Sequence, residues 1–349
     1  MREVYNVNIE NELPLPIPQE IREELPITAE ITENIWEYRQ TIRNIVQRKD
    51  KRLMLICGPC SIDSLPAAVE YAMLLRGLRD EVSDVFYPVV RAYFEKPRTT
   101  IGWKGLVYDP DLDTSFRIEK GLRLSRKLLL DLARLDLPAA TEILEPIIPQ
   151  YLADLISWAS IGARTSESQT HRQLASGLSM PVGFKNSTDG SIPVAVDAIR
   201  TASAKHSFLG VIDDGRTGIF QTKGNPDCHL ILRGGQNGPN YTSEHIAFAS
   251  ELMRREKVHP AIVVDCSHAN SRKDPARQSM VLMDVLQQIR EGQNAICGVM
   301  LESYIKQGSQ PIAAKGQMIP GLSVTDPCLG WEQTRELVLK AADMLRKNK

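Results

Sequence analysis

Cys60, Arg91 with Lys96, Glu142, Arg164, Lys185, Arg233, His268 and Glu302 come, in that order, after a series of short apolar runs. Two kinds of chemistry are represented. Cys60, His268, Glu302 and the later Asp326 offer a thiolate, an imidazole and two carboxylates, a mixed soft and hard donor set suited to manganese, iron, cobalt or zinc. None of them stands in a recognised metal-ligand spacing. Each alone has a plainer role, Glu302 as a helix-start carboxylate and Asp326 as a cap before Pro327, so only joint placement makes them a site. The second kind is cationic: Arg91, Lys96, Arg98, Arg164, Lys185 and Arg233. Arginine forks match phosphate and carboxylate bidentately, and Gly162, Gly234 and Gly235 would let backbone N–H groups approach an anion. So many cations in one pocket imply a highly anionic set of ligands, with more than one phosphate among them. No phosphate-binding glycine motif of the nucleotide-binding kinds occurs, which argues against a nucleotide.

Cys57-Gly58-Pro59-Cys60 also has the form of a dithiol redox motif, which needs its first cysteine at a helix N-terminus. Here Leu53-Met54-Leu55-Ile56 runs straight into Cys57, which places that residue in a strand as buried apolar filler and leaves Cys60 as the functional thiol.

The elements that must position these groups are read from periodicity. Apolar runs of strand length lie at Leu53–Cys57, Val85–Val90, Leu137–Ala140, Leu155–Ala163, Pro181–Phe184, Cys228–Leu232, Ala261–Val264 and Ala295–Leu301. Helical patterns at 64–80, 118–135, 191–204, 243–256, 274–291 and 331–346 alternate with them. This rhythm predicts an α/β fold, a (β/α)8 barrel, whose active site lies where the loops after the strands converge. Two parts are surplus to the barrel. Residues 1–50 form an N-terminal extension: a proline-punctuated arm without a core of its own up to Pro26, then a helix over 28–48. Phe208–Ile212 and Gly218–Thr222, around Asp213-Asp214-Gly215-Arg216, predict a hairpin inserted before the sixth strand. Both are candidates for assembly or regulation, and 51–349 is the catalytic barrel.

Composition narrows the classes further. The 349 residues carry 42 Lys and Arg against 43 Asp and Glu, and this absence of a basic excess argues against nucleic-acid or membrane-surface partners. No run approaches a transmembrane length, the first residues are not a secretory signal, and six cysteines suit a reducing compartment, so a cytoplasmic enzyme is expected.

Longer motifs carry a resemblance. Gly58-Pro59-Cys60-Ser61, the stretch from Arg91 to Thr100, Gly102-Trp103-Lys104-Gly105, Ile161-Gly162-Ala163-Arg164, Pro181 to Asn186, Ile231 to Gly235 and Ser267-His268-Ala269-Asn270 resemble the type I, amino-acid-regulated synthases of 3-deoxy-D-arabino-heptulosonate 7-phosphate (DAHP). The resemblance implies condensation of phosphoenolpyruvate with D-erythrose 4-phosphate, the first step of the shikimate pathway, on one divalent metal ion, manganese first among the choices. It implies Cys60, His268, Glu302 and Asp326 as metal ligands, and Arg91, Arg164, Lys185 and Arg233 around phosphoenolpyruvate. Lys96, Pro97, Arg98 and Thr99 would hold erythrose 4-phosphate, with Ala163 and Asp326 completing the substrate-binding set. Lys96, Cys60, His268 and Glu142 would do the chemistry, Glu142 either positioning water or supporting Lys96 or Arg164. A feedback site for Tyr or Phe would involve Asn6, Pro149, Gln150, Leu178, Ser179, Phe208 and Phe220, in a homotetramer or homodimer. The alternatives are the sister synthase of 3-deoxy-D-manno-octulosonate 8-phosphate, which takes arabinose 5-phosphate, and a metal-dependent aldolase.

Overall fold

The structure is a computed structural model describing residues 4–98, 100–313 and 316–347. In chain order the strands are β1 Leu53–Gly58, β2 Phe86–Arg91, β3 Ala139–Ile143, β4 Trp158–Ile161, β5 Val182–Lys185, β6 Ser207–Val211, β7 Thr217–Gln221, β8 Cys228–Leu232, β9 Ile262–Asp265 and β10 Ile296–Glu302. β1–β5 and β8–β10 close into one parallel barrel in the order β1-β10-β9-β8-β5-β4-β3-β2, while β6 and β7 pair antiparallel apart from it. The predicted barrel and hairpin are both present. Apart from Tyr87, every residue of the barrel strands is buried, because helices cover the outside and side chains fill the inside.

The helices are α1 Pro18–Glu24, α2 Ala29–Val46, α3 Leu65–Val82, α4 Ile118–Arg134, α5 Pro149–Leu152, α6 Gln169–Gly177, α7 Ile192–Ala202, α8 Ser243–Arg255, α9 Gln278–Arg290 and α10 Trp331–Arg346. α2 starts where Thr28 accepts a hydrogen bond from the Ile31 N–H. Its far end enters the barrel floor: Ile42, Ile45 and Val46 share a buried cluster with Met54, Ile56, Val89, Trp158, Val263 and Met300 from the strands. Arg43 locks it there on Asp227 at 2.6 Å, and Arg39 donates to the carbonyls of Ala153 and Ile156. The helix over 28–48 is thus as expected.

The arm differs from expectation. It contains α1, whose Ile21 is fully buried against the body of the protein. Gln19 N–H donates to the Asp213 carbonyl, Arg22 pairs with Asp213 at 2.6 Å, and the Tyr151 hydroxyl donates to the Pro16 carbonyl. The segment 16–22 thereby joins the β6–β7 turn to α5. Seven residues are too few to form a helix unaided, and these tertiary contacts supply what local propensity lacks.

Candidate active site

Parallel strands all end on the same side, so each carries its terminal polar group to one mouth. A cavity of about 660 Å³ opens there, and Arg91, Lys96, Pro97, Arg98, Glu142, Ala163, Arg164, Lys185, Arg233, His268 and Asp326 all line it. Thr99 lies outside the described residues. The redox reading of Cys57-Gly58-Pro59-Cys60 falls away, since Cys57 is within β1 with its thiol against the Tyr71 hydroxyl at 3.0 Å.

The cations are held in different ways. Arg91 ends β2 and is 1% exposed; its Nη1 donates to the carbonyls of Pro59 and Cys60 at 2.5 and 2.7 Å, and Nη2 lies 3.1 Å from Glu302 Oε1. It therefore fastens the Cys60 turn as well as facing the cavity, and its Nε is buried without an acceptor. Lys185 ends β5 and pairs with Glu142 of β3. The field of Lys96 also acts on Glu142. Burial opposes both charges, yet each partner's field holds Lys185 above and Glu142 below its ordinary pKa, so the pair is ionised. Gly162 makes room for it, since a Cβ there would come within 2.6 Å of Glu142 Oε1. The Arg233 backbone is set by three buried asparagines: Asn186 accepts from Arg233 N–H, Asn240 accepts from Gly234 N–H, and Asn270 accepts from Asn240 N–H. The amides of Gly234 and Gly235 are thus spent inside the protein, the latter on the Gly238 carbonyl, and do not reach an anion as expected from the sequence.

The second group gathers Cys60, Glu302 and Asp326, whose ligand atoms all lie within 4.8 Å of one another. Register explains the meeting: Gly58 of β1 is directly paired with Glu302 of β10, and Gln278 of α9 clamps the Glu302 backbone through both its amide groups. His268 is adjacent rather than inside this cluster, its Nε2 3.7 Å from Glu302 Oε1, while its Nδ1 lies 2.8 Å from Asp265 Oδ2. Glu302 Oε1 is buried and faces the Arg91 charge, but no donor is aligned to hydrogen-bond it. A buried acceptor oxygen beside a thiol, a second carboxylate and an imidazole oriented by a carboxylate fits a divalent cation. Burial, reinforced by Glu302 and Asp326, pushes the Cys60 thiol up to about 11 despite the opposing field of Lys96, and a coordinated cation would remove that proton. Lys96 Nζ reaches Cys60 Sγ at 2.6 Å and Asp326 Oδ2 at 3.5 Å, and although burial disfavours its charge these acidic neighbours keep it protonated.

Sequence reasoning missed Tyr93 and Lys273, which line the mouth, and Asp265, buried beside His268. Tyr93 is buried with its ring 3.7 Å from the Arg91 guanidinium and 5.3 Å from Lys185 Nζ, a negative π-face shared by two cations. Its place two residues after Arg91, on the same side of an extended chain, was the available signal. Asp265 orients His268 and, despite burial, is held well below the usual carboxylate range by His268 and Lys185. Lys273 lines the cavity at φ +61°, its N–H donating to the His268 carbonyl at 2.7 Å.

Of the residues expected at a feedback site, Phe208 and Phe220 stack across the hairpin with centroids 5.6 Å apart, and Leu178 and Phe208 pack against the core. Pro149 and Gln150 begin α5, which the arm touches; Ser179 is exposed after α6, and Asn6 bonds Glu12 within the arm at 2.5 Å.

A (β/α)8 barrel whose strand-end cavity joins a cationic wall to a thiol–carboxylate cluster defines a class: enzymes acting on small phosphorylated substrates. The chain belongs to the DAHP synthetase I family, whose sequence model matches residues 24–339. It is 48% identical over 334 residues to the Tyr-sensitive phospho-2-dehydro-3-deoxyheptonate aldolase of Escherichia coli K12, covering 95% of this chain and 94% of that one. It is 49% identical over 329 residues to the Phe-sensitive enzyme of the same organism, covering 94% of each. A solved phospho-2-dehydro-3-deoxyheptonate aldolase from Francisella tularensis SCHU S4 superposes with a TM-score of 0.95 at 44% identity, covering 98% of this chain and all of that one.

Proposed function

We propose that the mouth condenses phosphoenolpyruvate with D-erythrose 4-phosphate and water to give DAHP and phosphate, the first step of the shikimate pathway. The observation that carries this reading is one cavity lined by Arg164, Lys185 and Arg233, by Lys96 and Arg98, and by Asp326, whose carboxylate clusters with buried Cys60 and Glu302, in a chain of this family. Arg91, Arg164, Lys185 and Arg233 hold the carboxylate and phosphate of phosphoenolpyruvate, with Ala163 against it. Lys96, Pro97, Arg98 and Thr99 hold the acceptor, Arg98 and Thr99 on its phosphate.

Carbon C3 of phosphoenolpyruvate attacks the aldehyde carbon, forming the new C–C bond, and the aldehyde oxygen takes a proton from Lys96 Nζ. Water, positioned by the Glu142 carboxylate that Lys185 holds, adds at C2 and gives up a proton to that carboxylate. The C2–O bond to phosphorus then breaks and phosphate leaves from the hemiketal, its charge met by the arginines. A divalent ion on Cys60, Glu302, Asp326 and His268, manganese or else iron, cobalt or zinc, would polarise the aldehyde as a Lewis acid.

The same reading makes 1–50 a regulatory and assembly extension on a catalytic barrel of 51–349, inhibited by Tyr or Phe near Pro149, Gln150, Leu178, Ser179, Phe208 and Phe220. Exposed Val4, Tyr5, Val7 and Ile9 of the arm, with Leu209 and Ile219 of the hairpin, support burial against further copies in a homotetramer or homodimer, Asn6 then serving a neighbour's site. Six free, buried cysteines suit work in the cytoplasm, and among the described residues no helix is long and apolar enough to cross a membrane.

Chelation tests this. Enzyme treated with EDTA and supplied with phosphoenolpyruvate and erythrose 4-phosphate is expected to release no phosphate until Mn²⁺ is added, and His268→Ala to respond far less to the metal. Full turnover by the chelated enzyme would contradict the reading.

A further inference from the structure

Arg91 and Lys185 are both buried, and both lie over one ring in the wall of the mouth: the Arg91 guanidinium carbon is 3.7 Å and Lys185 Nζ 5.3 Å from the centroid of Tyr93. The ring is itself buried and is pinned at both ends. The Tyr93 carbonyl accepts the Ile62 N–H at 2.9 Å, and its hydroxyl is 3.0 Å from Ser160 Oγ of β4 and 3.9 Å from Met300 Sδ of β10. Burial raises the phenol above its ordinary pKa against the fields of both cations, so the hydroxyl stays neutral and the residue offers a π-face rather than a phenolate.

The charges around it explain why a ring stands there. Each cation already has one carboxylate, Glu302 for Arg91 and Glu142 for Lys185. These four charges sum to zero, while the two cations repel each other. A third carboxylate at this place would make this part of the wall negative and turn an anionic substrate away. A π-face attracts both cations and adds no net charge. An aliphatic side chain of similar bulk would fill the space and attract neither.

We infer that Tyr93 is a positioning residue for phosphoenolpyruvate: its π-face holds Arg91 and Lys185 in place as cations and so sets the affinity for that substrate, acting through them rather than on the reacting atoms. The inference rests on the function proposed above for the mouth. Because Tyr93 works through two residues on the phosphoenolpyruvate side, its loss falls on that substrate and spares erythrose 4-phosphate.

Graded fluorination supplies the test, because ring fluorines draw electron density off the π-face while barely changing its shape. Phosphoenolpyruvate alone is titrated by calorimetry into the full-length Mn²⁺-loaded enzyme, as wild type, as Tyr93→Phe, and with 4-fluoro-, 3,5-difluoro- or 3,4,5-trifluorophenylalanine at the same position. Tyr93→Leu is carried in parallel, and steady-state rates with both substrates are measured for every protein. Tyr93→Phe, which keeps the face and loses only the hydroxyl, is expected to bind phosphoenolpyruvate within about threefold of wild type. Affinity should then fall stepwise with each fluorine, about fivefold by the third, and about tenfold in Tyr93→Leu. The KM for erythrose 4-phosphate should stay close to wild type throughout. A ring that merely fills space would give a flat fluorine series, even if Tyr93→Leu folds poorly. Failure of the wild type to bind phosphoenolpyruvate would overturn the function proposed for the mouth and this inference with it. Where the wild type binds, equal affinity across the fluorinated series, a loss in Tyr93→Phe as large as in Tyr93→Leu, or an equal rise in KM for both substrates would overturn the inference alone.

Discussion

Lys96 is the side chain on which the proposed chemistry turns, because it couples the acceptor loop to the Cys60–Asp326 cluster through an ammonium 2.6 Å from sulfur. A positioned general acid contributes about 10²–10⁴ in rate. Lys96→Ala is therefore expected to lower kcat by about that factor in the metal-loaded enzyme while the thermal midpoint stays close to wild type; a kcat within about tenfold of wild type would remove Lys96 from the chemistry. A second residue-scale test concerns the core. Trp158 Nε1 donates to His229 Nε2 at 3.0 Å, and His229 Nδ1 donates to the Asp227 carbonyl at 3.1 Å, so the buried ring is neutral and burial lowers its pKa to about 4. The unfolded chain binds this proton near pH 6.5 and the folded chain only near 4. The stabilisation is thus complete above pH 6.5 and is lost as pH falls towards 4, about 3 kcal/mol in all. Urea unfolding from pH 7.5 to 4 is expected to show this loss in wild type and a shallower one in His229→Asn. Parallel profiles would contradict it.

At the scale of elements, the arm and hairpin form one attachment. Asp213 in the β6–β7 turn receives both the Gln19 N–H and the Arg22 guanidinium, and Ser176 of α6 is 2.7 Å from the Thr222 hydroxyl just beyond β7. None of these contacts involves a residue assigned to the mouth. Deleting residues 1–12 is accordingly expected to leave turnover near wild type and to raise the concentration of tyrosine or phenylalanine needed for half inhibition; unaltered inhibition would give the arm another role. The elements themselves were unequally legible. The run Leu53–Cys57 became β1 Leu53–Gly58 because a strand buried on both sides is written as continuous apolar sequence. The run Leu155–Ala163 was too long, its strand being only Trp158–Ile161, because Leu155 and Ile156 before it are apolar and buried as well. α6 escaped notice because Gln169–Gly177 buries His171 and Ser176 alongside Leu174 and Ala175, so its inner face does not look hydrophobic.

For the molecule as a whole, the barrel turns a property of sequence order into a property of space. Residues from Cys60 to Asp326 meet because every parallel strand delivers its last side chain to one face. Much of the mouth was therefore readable in the polar residue that succeeds each apolar run. The unreadable part depends on neighbours round the barrel. The Glu142–Lys185 pair joins β3 to β5, and the Arg91–Glu302 pair joins β2 to β10, and no spacing along the chain announces either. A protein of net charge −1 thus gathers several of its cations around one cavity. The measurement that tests this most directly is phosphate release by the Mn²⁺-loaded enzyme given phosphoenolpyruvate with erythrose 4-phosphate, or with arabinose 5-phosphate, or alone. The account predicts one phosphate and one DAHP per turnover with erythrose 4-phosphate and little release in the other two mixtures; faster turnover with arabinose 5-phosphate, or release of phosphate without any aldose, would contradict it.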